Sequence, residues 1–470
     1  MYDNRLRFCL LLSLLVGAAG FLLGLNGCGA GLSGVAVGSP VDPPPIQHVV
    51  VIFQENRSTD NLFHDFALIT RGADIASTGI DSIGQTVPLG EVDLATSYDL
   101  DHSHTAFVAM YDGGKMDGAD RIEVICPDPG PFCAPQNAQF MYVNPAEVLP
   151  YFQLAEQYTF GDRMFQTNQG PSFPAHQFII AGTSAPTATS TLFAAENPGF
   201  AKGYSGPPAF FYTGCTAPVG EAVNLIDHLG RELSSQYPCF EHPTLSDLLD
   251  AKNISWRYYT PSAGVIWTGP NAIQHMCQAQ NLKGQLLCTG KAWNNVIIPQ
   301  SRIFDDISSN QLAAVSWVIP DGRASDHANM NDGSGPSWVA SVVNAIGNSS
   351  YWANTAIIIT WDDWGGWYDH VTPKILNSYE YGFRVPLIVV SPYARPGYIS
   401  HVTHDFGSIL RFIENKFQLP SLGYADAVAD DLSDCFDFTQ TPIRFQSISA
   451  PLDADHFLND HRAPAAPDDD

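Results

Sequence analysis

Positive charge is what this chain has least of. Lys and Arg number 22 against 48 Asp and Glu, a net charge of −26 over 470 residues. Such a surface repels nucleic acid and anionic lipid headgroups, so partners held by a basic face are excluded. A local cationic metal site could still hold a phosphate against that background. Charged residues of both signs reach only 15%, yet hydrophobic residues reach 45%, so the low charge does not signal disorder. A CxxC pattern is absent, which argues against a structural zinc knuckle. Internal repeats are absent too, and no basic stop-transfer cluster follows the first apolar run.

That apolar run, Phe8 to Leu25, follows a short positive region with Arg5 and Arg7. The pattern is that of a signal peptide rather than a mature membrane span. Leu25-Asn26-Gly27-Cys28 resembles a bacterial lipobox, so residues 1–28 read as an export segment and lipidated Cys28 as a membrane tether. The expected location is periplasmic, envelope-bound as a lipoprotein, or secreted. Residues 29–45, rich in Gly, Ser and Pro, read as a flexible linker. Cysteine usage agrees with export. Of nine Cys, seven lie beyond Cys28, and three close pairs stand out: Cys126 with Cys133, Cys215 with Cys239, and Cys277 with Cys288. Disulfides suit an oxidising compartment, although spacing alone does not set connectivity. Cys435 is left over.

Four short apolar runs rich in β-branched residues punctuate the chain: Ile46 to Phe53, Leu312 to Ile319, Thr355 to Trp361 and Val385 to Val390. Each gives way abruptly to polar residues. Runs of this kind are buried strands, and open α/β sheets place ligand sites at their carboxyl ends. Helical periodicity over Gly335 to Ile346 and Asp405 to Phe417 completes a strand–helix alternation. The expected class is therefore α/β with a mostly parallel sheet. The catalytic domain is placed at 46–445. Within it, 184–300 is rich in Gly, Pro, Tyr, Asn and Cys with weak periodicity, and is expected to be an irregular insertion covering the site. Residues 446–470 form a C-terminal tail, of which Pro464 to Asp470 is expected to be disordered.

Cleaving a phosphate ester needs a nucleophile, positive charge on the non-bridging oxygens and a proton for the departing oxygen. Glu55-Asn56 at a strand end offers hard ligands for a divalent cation, although alone it reads more simply as a solvated loop. Asp362-Asp363 is more specific. Adjacent like charges after a buried strand repel each other, and a cation between them relieves that repulsion. Gly365 and Gly366 allow close backbone approach. Ser172 lies between Pro171 and Pro174 in a stiff turn, which taken alone is a plain Pro-rich loop. His102, His104, His327, His370, His401 and His404 lie near polar strand ends. Histidine can bind metal, stabilise phosphate oxygens or protonate a leaving group.

The strings QENRSTDNLF, GGKMDG, GPSFPAH, SWVIPDGRASDH, TWDDWGGWYDHV, YGFRVPLIVVSPYARPG and THDFGSILRFIE together resemble the bacterial phospholipase C and acid phosphatase family. The resemblance runs from about Ile46 to Phe438 in the family's order. It implies an alkaline-phosphatase-like α/β/α sandwich. It also implies a metal pair at Glu55 and Asn56, a second at Asp362 and Asp363, and Ser172 as nucleophile and metal contact. His102 and His327 match histidines that contact phosphate oxygens or the leaving group, and His404 matches a further family histidine. His104 ranks lower, because many relatives carry an aromatic residue there. The implied reaction is hydrolysis of a phospholipid or a phosphomonoester through a phosphoserine. The implied cofactor is a divalent ion: calcium, magnesium, manganese, zinc or iron. Ala175-His176 after Pro174 departs from phospholipase members, which often carry Asn. Three other readings compete. A sulfatase is discounted because Ser172-Phe173-Pro174-Ala175-His176 lacks the expected Arg. An inactive envelope binding protein is disfavoured by the complete residue set. A phosphotransferase acting on envelope lipids would share every site residue.

Overall fold

The computed structural model describes residues 46–127, 133–200 and 213–465. The expected export segment, Cys28 and the linker lie outside the described residues, as do 466–470 of the tail. Among the described residues no helix is long and apolar enough to cross a membrane.

Eight strands form the central sheet: β1 (His48–Gln54), β2 (Thr159–Gly161), β3 (Trp256–Tyr259), β4 (Val296–Ile297), β5 (Val315–Val318), β6 (Thr355–Trp361), β7 (Leu387–Val390) and β8 (Tyr398–Ser400). Their order across the sheet is β4-β3-β5-β1-β6-β7-β2-β8. From β4 to β6 every pairing is parallel. β7 alone runs against its neighbours β6 and β2, and β2 pairs in parallel with β8. All four expected strands exist, and the sheet is mostly parallel as expected. The run at 385–390 is the exception in direction, so Ser391-Pro392-Tyr393 leaves the sheet at the edge opposite the ends of β1 and β6. Its apolar run could not reveal this, because a strand buried on both faces reads the same in either direction.

Helices cover both faces, and β1 shows why. Successive strand residues point to opposite sides. Gln54 donates to the Tyr151 hydroxyl at 2.8 Å, on the helix α1 (Leu149–Gln157). Phe53, one residue earlier, packs its ring against Phe406 and His176. Those residues sit on α2 (Ser172–Ala181) and α4 (Phe406–Phe417), which touch each other. Helix α3 (Gly335–Gly347) packs beside α1. Helix α4 begins with a capping box in which Asp405 and Ser408 satisfy each other's amides, which ends the preceding extended segment sharply. A second, smaller apolar cluster gathers Leu100, Phe107, Met110, Phe140, Trp364, Trp367 and Phe383, and carries the loop with His102.

The segment 184–300 is divided between two roles. Part of it is peripheral: Glu221–Ile226 pairs with Phe193–Ala194, Gly199–Phe200 and Glu232–Gln236 in a separate sheet. The rest enters the core, because β3 and β4 belong to the central sheet. The three cysteine pairs are disulfides as expected, two of them in this segment, and Cys435 is free and buried. The tail is described up to residue 465, and most of the stretch expected to be disordered lies outside the described residues. Its helix Ala454–Leu458 sets Phe457 edge-on against Trp338 of α3, with ring centroids 5.3 Å apart.

A buried ion network ties β7 to the loops beyond β1. Arg384 donates to both oxygens of Asp369, at 2.8 and 3.0 Å, and to Asp60 at 3.0 Å. It also donates to the carbonyls of Asp74 and Asp162 at 2.8 Å each. His370 reaches Asp60 at 2.6 Å, and despite burial its carboxylate neighbours hold it up to about 9. Removing one partner of a buried pair leaves an uncompensated charge. Arg384→Met is therefore expected to cost about 3–5 kcal/mol of unfolding free energy. Urea denaturation measures this, and a loss under about 1 kcal/mol would show that the carboxylates do not depend on this guanidinium.

Candidate functional site

Register builds the centre of the site. β1 and β6 pair through Gln54 and Trp361, so the next residues, Glu55 and Asp362, leave adjacent strands side by side. The Asp362 amide still donates to the Gln54 carbonyl at 2.9 Å. Asp362 Oδ1 then accepts from the amides of Asn56 at 3.1 Å and Asp363 at 2.8 Å. Asn56 has φ of 61°, a left-handed conformation that Asn tolerates better than most residues. Gly365 and Gly366 make the close approach possible. A Cβ on Gly365 would meet the Asn56 carbonyl oxygen at 2.3 Å, and one on Gly366 would meet Leu100 Cβ at 2.4 Å.

Ser172 opens α2, directly after Pro171. Its hydroxyl donates to Asp363 Oδ2 at 3.2 Å and lies 3.5 Å from Asn56 Oδ1. One helical turn later, His176 points the same way. Its Nε2 is 3.3 Å from Glu55 Oε1 and 3.8 Å from Asp362 Oδ2. From sequence His176 is only a departure within the nucleophile turn. Its four-residue spacing from Ser172 was the available signal, once that turn is read as a helix start. His102 sets Nε2 2.9 Å from Asn56 Nδ2 and is oriented by the Leu100 carbonyl on Nδ1 at 2.8 Å. His327 lies beside it, with ring centroids 5.9 Å apart and the Ala328 carbonyl 2.7 Å from Nδ1. The structure thus brings Glu55, Asn56, Ser172, Asp362, Asp363, His102 and His327 together.

His404 is not brought to this group. Its partners are Ser400 Oγ at 3.0 Å and Asp430 Oδ1 at 2.6 Å. The reason is topological: His404 pairs beside Met164, just past the edge strand β8, whereas the acids follow the central strands. His370 belongs to the Arg384 network, and the half-exposed His401 pairs with Asp162 at 2.9 Å. His104 lies beside Glu232 at 3.3 Å, and its amide donates to Glu196.

The electrostatics are one-sided. Glu55, Asp362 and Asp363 are all buried. Burial and the nearby Glu55 push the Asp362 carboxyl up to about 8, and burial and Asp362 push Asp363 up to about 8. Burial drives His176 down to about 4, so its imidazole is neutral. Arg57 is adjacent in sequence, but its guanidinium is committed to the carbonyls of Asp326 and Leu94 and lies over Trp367. Asp362 Oδ2 is buried without a hydrogen-bond donor. Ligand atoms of Glu55, His176 and Asp362 lie within 4.8 Å of one another. Carboxylates, an amide oxygen and a neutral imidazole are a donor set for a divalent cation, and these residues fit one.

The segment 184–300 comes close to this centre. Asn197 accepts from the Phe173 amide at 2.9 Å, next to Ser172. Glu196 accepts from His104, and Trp267 lies 6.2 Å from His327 between ring centroids. Burial and Glu232 raise the Glu196 carboxyl well above the usual range. A surface cavity lined by Ser337, Asp455, His456 and Arg462 lies elsewhere and holds none of these residues.

The model of the phosphoesterase family matches residues 46–420. The chain belongs to the phosphoesterase family. It is 23% identical over 455 residues to the hemolytic phospholipase C of Pseudomonas aeruginosa, covering 84% of this chain and 56% of that protein. It is 24% identical over 443 residues to the non-hemolytic phospholipase C of the same organism, covering 84% and 57%. The chain thus spans somewhat over half the length of these relatives. A shorter match, 30% identical over 165 residues, joins 29% of the chain to 32% of phospholipase C A of Mycobacterium tuberculosis. Among solved structures, a protein in the alkaline phosphatase superfamily from Vibrio parahaemolyticus matches with a TM-score of 0.34 and 10% identity, covering 82% of this chain and 70% of that one. A likeness that slight carries no argument about the site.

Acids raised from an ordinary value near 4 to about 8 bind protons more tightly folded than unfolded. Without a divalent cation, their contribution to stability therefore falls as pH rises from about 4 to about 8. The melting temperature of chelated protein is expected to respond to added divalent metal more at pH 8 than at pH 5. With magnesium or calcium as the added metal, the Asp362→Asn, Asp363→Asn double variant should lose that response. An equal metal response in this variant would place the cation elsewhere.

Proposed function

We propose that this protein is an exported, divalent-metal-dependent phosphoesterase that cleaves phosphate esters through Ser172. One observation carries the reading: a buried hydroxyl at a helix start, held 3.2 Å from Asp363 within an anionic, cation-fitting group. Family membership and the phospholipase C relatives support the substrate class. The apolar run and lipobox-like residues before the linker support export, with Cys28 as a tether.

In the reaction proposed, the Ser172 hydroxyl gives up its proton along its hydrogen bond toward Asp363, and Oγ attacks phosphorus. The bond from phosphorus to the leaving alcohol breaks, and that alcohol takes a proton from His327 or His102. Water, deprotonated by the same histidine, then attacks the phosphoserine, releasing phosphate or a phosphomonoester and restoring Ser172. Glu55, Asn56, Asp362, Asp363 and His176 would hold the divalent ion, which supplies charge against the phosphate oxygens and lowers the hydroxyl pKa. Helix α2 presents Ser172 at its positive N-terminal end, which also favours an anion there.

The phospholipase C relatives favour a phospholipase C-type diester over a phosphomonoester. A phosphotransferase acting on envelope lipids would use the same residues and differ only in the acceptor. An inactive binding protein has no need of the Ser172–Asp363 bond.

Purified protein is expected to hydrolyse p-nitrophenyl phosphorylcholine faster than p-nitrophenyl phosphate, with chelator abolishing both activities. Ser172→Ala should lower kcat/KM on the order of a thousandfold or more, because the covalent route disappears. Undiminished activity in Ser172→Ala would overturn the nucleophile. Inactivity of the wild type after restoring several divalent metals would move the weight to the binding or transferase readings.

A further inference from the structure

Beyond the edge strand β8 lies a second group of ligating side chains, unconnected to Ser172. His404 Nε2 is 3.5 Å from Asp434 Oδ1 and 4.0 Å from Cys435 Sγ. Asp434 Oδ1 is 3.6 Å from the same sulfur. The Ser400 hydroxyl lies 3.0 Å from His404 Nε2 and 2.5 Å from Asp434 Oδ2. His404, Ser400 and Cys435 are buried, and Asp434 is half-buried.

These separations have a meaning. Tetrahedral zinc, with bonds of about 2.0–2.1 Å to nitrogen or oxygen and about 2.3 Å to sulfur, spaces its ligand atoms roughly 3.3–3.6 Å apart. Three atoms of different chemistry stand near that spacing here. The histidine is also prepared for the role. Asp430 Oδ1 sits 2.6 Å from His404 Nδ1, which keeps the proton on Nδ1 and turns the Nε2 lone pair toward the sulfur and the carboxylate. The Ser400 hydroxyl has one proton for two acceptors, His404 Nε2 and Asp434 Oδ2, so a cation would relieve one of them.

We infer that His404 Nε2, Asp434 Oδ1 and Cys435 Sγ form a structural zinc site, with the Ser400 hydroxyl or a water as fourth ligand. Thiolate and imidazole ligands select zinc over calcium or magnesium. The other ligand-rich cluster, Asp60 with Asp369 and His370, differs, because Arg384 already supplies its positive charge. The zinc would staple the segment around Asp430–Cys435 to the end of β8 and to the entry of α4. The adjoining contacts fit a staple: Thr159 of β2 donates to the Cys435 carbonyl at 3.0 Å, and the Arg395 amide donates to it at 3.0 Å. The bound metal would also hold the one unpaired thiol among the described cysteines as a ligand.

The test uses the full chain, stripped with chelator and reloaded with zinc or cobalt. X-ray absorption on the zinc-loaded wild type is expected to show one sulfur neighbour at about 2.3 Å. The cobalt form should show a thiolate-to-metal charge-transfer band in the near ultraviolet. That band should survive in Asp363→Asn and vanish in Cys435→Ser, which should also bind one zinc fewer per chain. Absence of a sulfur neighbour in the wild type would overturn the inference without reliance on any variant. Equal zinc content in Cys435→Ser, or a band lost in Asp363→Asn but kept in Cys435→Ser, would overturn it as well.

Discussion

Three buried carboxyl groups, Glu55, Asp362 and Asp363, converge where two central parallel strands end, and much of the surrounding structure accommodates their mutual repulsion. Charges taken out of water and placed beside like charges are tolerated only as protonated acids or around a cation. Both Asp carboxyls are pushed up to about 8 for that reason. The left-handed Asn56, the paired glycines after Asp363 and the helix start at Ser172 bring further oxygen donors to the same point. The nearby Arg57 is drawn off to backbone carbonyls rather than to these acids.

The Arg384 network marks the contrast. There Asp60 and Asp369 are equally buried, but a guanidinium meets both and carbonyls satisfy its remaining donors. That cluster balances its own charge and locks β7 to the loops beyond β1. The two clusters derive from one stretch of sequence, the Asp pair at 362–363 and Asp369-His370 a few residues on. Proximity in sequence therefore says little about role; what decides it is whether a cationic side chain arrives from elsewhere in the fold.

The peripheral segment shows a related division of labour. Its outer sheet carries Glu196 and Asn197 to the edge of the site, and its inner part fills two positions in the central sheet. Trp256–Tyr259 and Val296–Ile297 are short, and they lie among Gly, Pro and Cys residues that conceal a strand pattern. Their pairing partners lie far away in sequence, so pairing of the first with β5 and of the second with the first, rather than local propensity, makes them strands.

Sequence alone determined the fold class, the runs that became β1, β5, β6 and β7, and the three close cysteine pairs, and the family resemblance added the candidate site residues. It did so because buried strands have a distinctive composition, and because paired Asp with flanking glycines is a local pattern, whereas Ser172 stood out only through the resemblance. Tertiary structure alone decided the antiparallel direction of β7, the place of His176 among the acids and the removal of His404 to another cluster. Each of these depends on a side chain or strand meeting a partner distant in the chain. His176 faces Glu55 only because α2 packs over β1, and His404 meets Asp434 only because the chain returns past β8. Local patterning carries no record of such meetings, since the register and packing of non-adjacent elements set them.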